Sequence, residues 1–124
     1  MQREAMEQEA FFRWVAWARN RYPLVDLFYH IPNGGSRDKR EAARMKGEGV
    51  RAGVPDLCLP VSSGAYHALY IELKVAKNRP SAEQKAWIEK LNAAGNRAVV
   101  CYGWQAAVKE TCTYLGIPVP DGVG

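Results

Sequence analysis

Apolar residues recur at helical spacing near the start of the chain. Phe11, Trp14, Val15 and Ala18 share one side of a helix predicted over about residues 3–20, which Arg21-Tyr22-Pro23 breaks. Residues 27–31 have the aromatic and β-branched content of a short strand. Pro32-Asn33-Gly34-Gly35 reads as a turn, and Ser36 can cap a charged helix running to about Lys46, stopped by Gly47 and Gly49. A second strand is expected over residues 56–61 and a third over 68–75, with the turn Ser62-Ser63-Gly64 between them. Pro80-Ser81 opens a further helix that ends near Gly95, residues 97–102 form a fourth strand, and residues 104–115 a last helix closed by Gly116 and Pro118. The third strand, its helix and the fourth strand make a βαβ unit, which crosses over right-handed and pairs in parallel. The second and third strands, joined by a short turn, should be antiparallel. The expected fold is α/β: a mixed four-stranded sheet flanked by helices.

At 124 residues the chain has the length of a single domain spanning 1–124, and no repeat or linker divides it. Its composition, 48% hydrophobic and 24% charged, allows a core without staples. Cys58, Cys101 and Cys112 are widely spaced and contain no CxxC pair, which argues against a disulfide framework or zinc knuckle and suits a cytoplasmic setting. With only His30 and His67, a histidine-rich metal site is excluded. No apolar run reaches membrane-spanning length, and the first residues are too polar for a signal peptide. A formal charge of +4 favours a polyanionic partner, though mildly.

The third strand carries the candidate chemistry. Side chains alternate across a strand, so Leu69, Ile71, Leu73 and Val75 form one apolar face while Tyr70, Glu72 and Lys74 share the other. Asp56 opens the preceding strand, close enough in an antiparallel hairpin to approach Glu72. Two carboxylates and the Leu73 carbonyl can bind a hard cation such as Mg²⁺. Such an ion activates water and neutralises charge developing on a phosphate, with Lys74 orienting the water or stabilising the transition state. On residue types alone, Glu72 and Lys74 could equally be a solvated strand face.

The run Gly53-Val54-Pro55-Asp56-Leu57, then Ile71-Glu72-Leu73-Lys74, then Ser81-Ala82-Glu83-Gln84 and Lys85-Ala86-Trp87, resembles the VRR-NUC group of PD-(D/E)XK nucleases. His30-Ile31-Pro32-Asn33-Gly34-Gly35 and Arg40-Glu41-Ala42-Ala43-Arg44 look like its stand-alone phage and bacterial members. The resemblance runs from about Glu4 to Leu115. It implies a restriction-endonuclease-like fold and cleavage of DNA phosphodiesters dependent on Mg²⁺ or Mn²⁺. By matching position, Asp56 and Glu72 would be metal ligands, Lys74 the catalytic lysine and Gln84 the helix glutamine beside the site. The family also carries an acidic residue on its first helix: Glu4 is favoured, with Glu7 one turn away as the alternative. Gln84 equally fits an S-x-x-Q capping box with Ser81, and His30 is either a site residue or a packed one. The stand-alone relatives imply a homodimer acting on branched or junction DNA. Phe11, Phe12, Trp14, Val15 and Trp17 fit such an interface, since they cover more of the first helix than one core contact requires. Trp14, Trp17, Trp87 and Trp104 otherwise sit at core-type helical positions.

From Arg37 to Arg51 six cations (Arg37, Lys39, Arg40, Arg44, Lys46, Arg51) face three anions, a density suited to phosphate contacts. Lys77 and Arg79 form a second basic candidate. No base-reading motif is present. A catalytically silent nucleic-acid-binding module of the same fold is the alternative function.

Overall fold

The computed structural model describes residues 2–32 and 38–123. Helix α1 spans Gln2–Ala18. Pro23, whose ring presets a helical φ, then opens a 3-10 turn, Pro23–Leu27, that buries Val25. This turn consumes the start of the expected first strand, so β1 is only Tyr29–His30. Helix α2 spans Lys39–Gly47 and is capped by Asp38, whose side chain accepts from the Arg40 N–H at 2.9 Å. Its cap is therefore not Ser36, because the helix starts two residues later than that assignment needs. Asn33, Gly34, Gly35, Ser36 and Arg37 lie outside the described residues.

Strand β2 is Leu57–Leu59, shorter than expected because Pro60 has no N–H to continue the ladder. Strand β3 is Leu69–Lys74. Helix α3, Ala82–Ala93, crosses to β4, Arg97–Tyr102, and α4, Trp104–Leu115, ends on Gly116 in the left-handed conformation. The sheet order is β1-β2-β3-β4, with the first two pairings antiparallel and β3–β4 parallel. The α/β restriction-endonuclease-like architecture expected of the sequence is the one observed.

The core forms where Leu69, Ile71, Leu73 and Cys101 meet Phe11 and Val15 of α1 and Ala107, Val108 and Cys112 of α4. Trp14 and Trp104 pack against it, but Trp17 is 68% exposed and Trp87 lies outside it, correcting their assignment as core residues. Among the described residues no helix is long and apolar enough to cross a membrane.

Candidate active site

The alternation of β3 seals Leu69, Ile71 and Leu73 in the core and turns Glu72 and Lys74 to the opposite face. That face is not solvated. Glu72 is 1% exposed and Lys74 8%, in the layer reached by the crossover helix α3. Gln84, in the first turn of α3, donates from Nε2 to Glu72 Oε2 at 3.0 Å. The same glutamine closes a capping box: its Oε1 accepts from the Ser81 N–H at 2.8 Å, and its own N–H donates to Ser81 Oγ at 3.1 Å. The two roles foreseen for Gln84 are thus compatible, because the cap uses its oxygen and the site its nitrogen.

Asp56 stands just before β2, where pairing with β3 has stopped at Leu57–Ile71. Its side chain takes over the ladder: Oδ2 accepts from the Leu73 N–H at 2.8 Å. Its carbonyl accepts from the Ile31 N–H at 2.7 Å and from His30 Nδ1–H at 2.9 Å. A carbonyl can only accept, which assigns that ring proton. A strand residue points its N–H and C=O to the same edge, so the Leu73 carbonyl also faces the Asp56 side. The preceding loop is held by Gly53, at φ 92°, where a Cβ would come within 2.8 Å of the Glu83 backbone. Only glycine allows this approach, which seats the Asp56 strand against the start of α3.

Glu72 Oε2 also lies 3.5 Å from Lys74 Nζ. Its Oε1 is buried and receives no hydrogen bond from any donor among the described residues. Burial, reinforced by the neighbouring Asp56 charge and opposed by Lys74, raises the Glu72 carboxyl to about 8. Burial also raises Asp56, against the lowering effect of the Leu73 N–H. A buried carboxyl raised by its acidic neighbour, with an oxygen that lacks a donor among the described residues, forms an arrangement that a divalent cation would complete. Among the described residues no three His, Cys, Asp or Glu side chains converge as a ready-made metal site. The candidate donor set is therefore Asp56, Glu72 and the Leu73 carbonyl.

A cleft of about 220 Å³ opens beside these groups, lined by Glu4, Gln8, His30, Asp56 and Leu73. Of the two first-helix acids, Glu4 is the one at this cleft. Glu7 is engaged elsewhere: its Oε1 accepts from the Trp104 N–H at 2.8 Å, capping α4, whose N-cap Gly103 has no side chain to do so. Glu4 Oε2 in turn accepts from Asn78 Nδ2 at 3.0 Å. Asn78 belongs to the second basic candidate loop, but no sequence pattern links it to α1.

The cations divide. Lys39, Arg40, Arg44 and Lys46 of α2 are all exposed, and none lines the Asp56 cleft. Arg44 pairs with Glu48 at 3.3 Å and lies 4.0 Å from Glu41. Arg51 is stacked over Trp87, its guanidinium carbon 5.3 Å from the ring centre. Lys77 and Arg79 line a separate cleft. Arg37 is outside the described residues.

The sequence model of the VRR-NUC domain matches residues 2–105. A solved structure described as a VRR_NUC domain protein superposes with a TM-score of 0.76 at 32% identity, covering 96% of this chain and 93% of that one. No curated protein matches.

Proposed function

The chain belongs to the VRR-NUC domain family, and from that premise we propose that it is a DNA endonuclease dependent on Mg²⁺ or Mn²⁺. The observation that carries the reading is the Oε1 of Glu72 near Asp56, which has no donor among the described residues, with Gln84 and Lys74 occupying the other oxygen. Asp56, Glu72 Oε1 and the Leu73 carbonyl would hold the ion, which when bound lowers the pKa of water and neutralises phosphate charge. Gln84 fixes the Glu72 carboxylate so that one oxygen stays available. The Lys74 ammonium, held by Glu72, is positioned to stabilise negative charge on the phosphate as water adds to phosphorus and the P–O bond breaks. His30 positions Asp56 through its carbonyl, and Glu4 supplies a second acidic group at the mouth of the cleft.

The direct test is cleavage of a panel of flap, junction, duplex and single-stranded DNA. Mg²⁺ or Mn²⁺ should support cutting. Ca²⁺, with its looser and longer coordination, should support binding with little cutting. Full activity in excess chelator would sink the metal mechanism, and binding without cleavage under every metal would leave a silent DNA-binding module. Within the panel we propose a preference for branched DNA, which equal cutting of junction and linear duplex would refute.

The exposed cations of α2 are proposed to neutralise backbone phosphates. Replacing Arg40 and Arg44 together by neutral residues should reduce the log–log salt dependence of binding by about one unit for each phosphate left without its cation. An unchanged slope places the DNA footprint elsewhere, with Lys77 and Arg79 next.

We also propose a homodimer, since cutting both strands of a symmetric junction needs two sites and a twofold axis supplies them. Phe11 and Val15 are consumed by the chain's own core, and Phe12 and Trp14 pack against it. The surface left for a partner is Trp17 with Leu24, Leu27 and Tyr29, all about half or more exposed. Light scattering at micromolar concentration checks this, and a mass of 13.8 kDa would mean a monomer.

A further inference from the structure

A cleft of about 620 Å³ adjoins the end of β3, lined chiefly by Lys77, Arg79, Pro80, Lys85 and Tyr102. It is larger than the cleft at Asp56, and no acidic residue among those described lines it. Lys74 and Tyr102 are register partners in the parallel pair β3–β4. Partners across a sheet project from the same face, on strands about 4.8 Å apart, so Tyr102 stands beside Lys74. Its ring is 48% exposed, yet its hydroxyl donates to the Asn78 carbonyl at 3.0 Å, which holds the ring in place. Immediately after Lys74 the chain turns sharply, with Ala76 in the left-handed region at φ 44°. The turn places Lys77 and Arg79 on the wall of the cleft, while Lys85 joins them from α3.

Three cations would serve for phosphate alone; a tethered aromatic face adds a surface for a flat ring. In a duplex, both faces of a base are already stacked on neighbours, so only an unpaired base can offer one to a protein ring. We propose that this cleft seats an unpaired nucleotide of the substrate strand next to the bond that is cut. The base stacks on Tyr102, and the adjoining phosphates rest on Lys77, Arg79 and Lys85. The identity of the strand rests on the nuclease reading; the binding chemistry does not. The cleft also gives that reading a substrate class: DNA with unpaired nucleotides at the cleavage point.

The test is fluorescence anisotropy, in Ca²⁺, of a labelled duplex with a short unpaired gap, the same duplex with abasic residues in the gap, and a fully paired control. Wild type should bind the base-bearing gap more tightly than the abasic one by roughly five- to a hundredfold, the range of one base–aromatic stack. Tyr102→Ala should lose that difference and leave the paired control little changed, while Tyr102→Phe, which keeps the ring, should restore it. Equal binding of base-bearing and abasic gaps by wild type overturns the proposal without any variant, as does a Tyr102→Ala protein that still discriminates or a wild type that binds neither gap. Base-dependent binding with no cleavage in Mg²⁺ or Mn²⁺ would overturn the nuclease reading and leave the cleft assignment standing. Cleavage indifferent to the base would do the reverse.

Discussion

Replacing Glu72 by glutamine or Lys74 by methionine is expected to lower DNA cleavage by at least about a hundredfold, the scale on which loss of one preorganised charge-stabilising group is felt. The substitutions are chosen for the burial of the site. Alanine at either position would leave a hole where the side chain is almost wholly enclosed. Glutamine keeps the shape of Glu72 and an oxygen for Gln84 to donate to. Methionine fills the space of the Lys74 stem. Loss of activity should therefore come without loss of fold, read as a melting temperature in chelator that falls no lower than that of the wild type. Lys74→Met should still bind DNA in Ca²⁺, because one enclosed ammonium adds little to the outer electrostatic footprint. A variant of either kind that cuts at near the wild-type rate would remove that residue from the mechanism.

The second large effect concerns stability against pH in the absence of divalent metal. The folded Glu72 carboxyl titrates at about 8, against an ordinary value of 4.5, because it is buried and faces Asp56. An acid whose folded value is raised binds its proton more tightly folded than unfolded. Below about 4.5 both states are protonated and the shift has no consequence. Between there and about 8 the unfolded chain has released a proton that the folded one retains, so stability falls as pH rises. Asp56, also raised, acts in the same direction. Metal-free protein should thus melt several degrees lower at pH 8 than at pH 5.5. Glu72→Gln should flatten most of that slope, and Mg²⁺ should restore the loss at pH 8 by taking the place of the proton. A metal-free melting temperature that is flat or rising across this interval would contradict the buried carboxyl pair.

Strongly periodic segments were legible from residues alone. The bounds of β4 and α4 coincide with the expected ones, and the alternation of β3 correctly divided the core face from the face that carries Glu72 and Lys74. Asp56, Glu72 and Lys74 could be grouped because consecutive strands joined without a crossover helix pair antiparallel, as β2 and β3 do. Three features could not be read. That Glu72 and Lys74 are enclosed depends on tertiary packing, including the reach of Gln84 from α3 to Glu72, which has no local signature. Glu4 and Glu7 share a helical side, and spacing cannot separate them; what does is the seat of Glu7 at Trp104, 97 positions away. Trp17 keeps helical core spacing yet faces out, because Phe11, Val15 and Ala18 already fill the contact that α1 makes. The first strand was overestimated for a different reason: Pro23 favours the tight turn that shortened it.

The hydrogen bond from Asn78 to Glu4 joins residues 74 apart, and the cap from Glu7 to Trp104 spans 97. The acidic end of the cleft is thus assembled by the first helix docking against parts of the chain synthesised long after it. A ribosome-bound chain that has not yet delivered Trp104 has no seat for Glu7. On the proposed nuclease reading, such a chain would pass through translation beside nucleic acid before the acidic end of its cleft is complete.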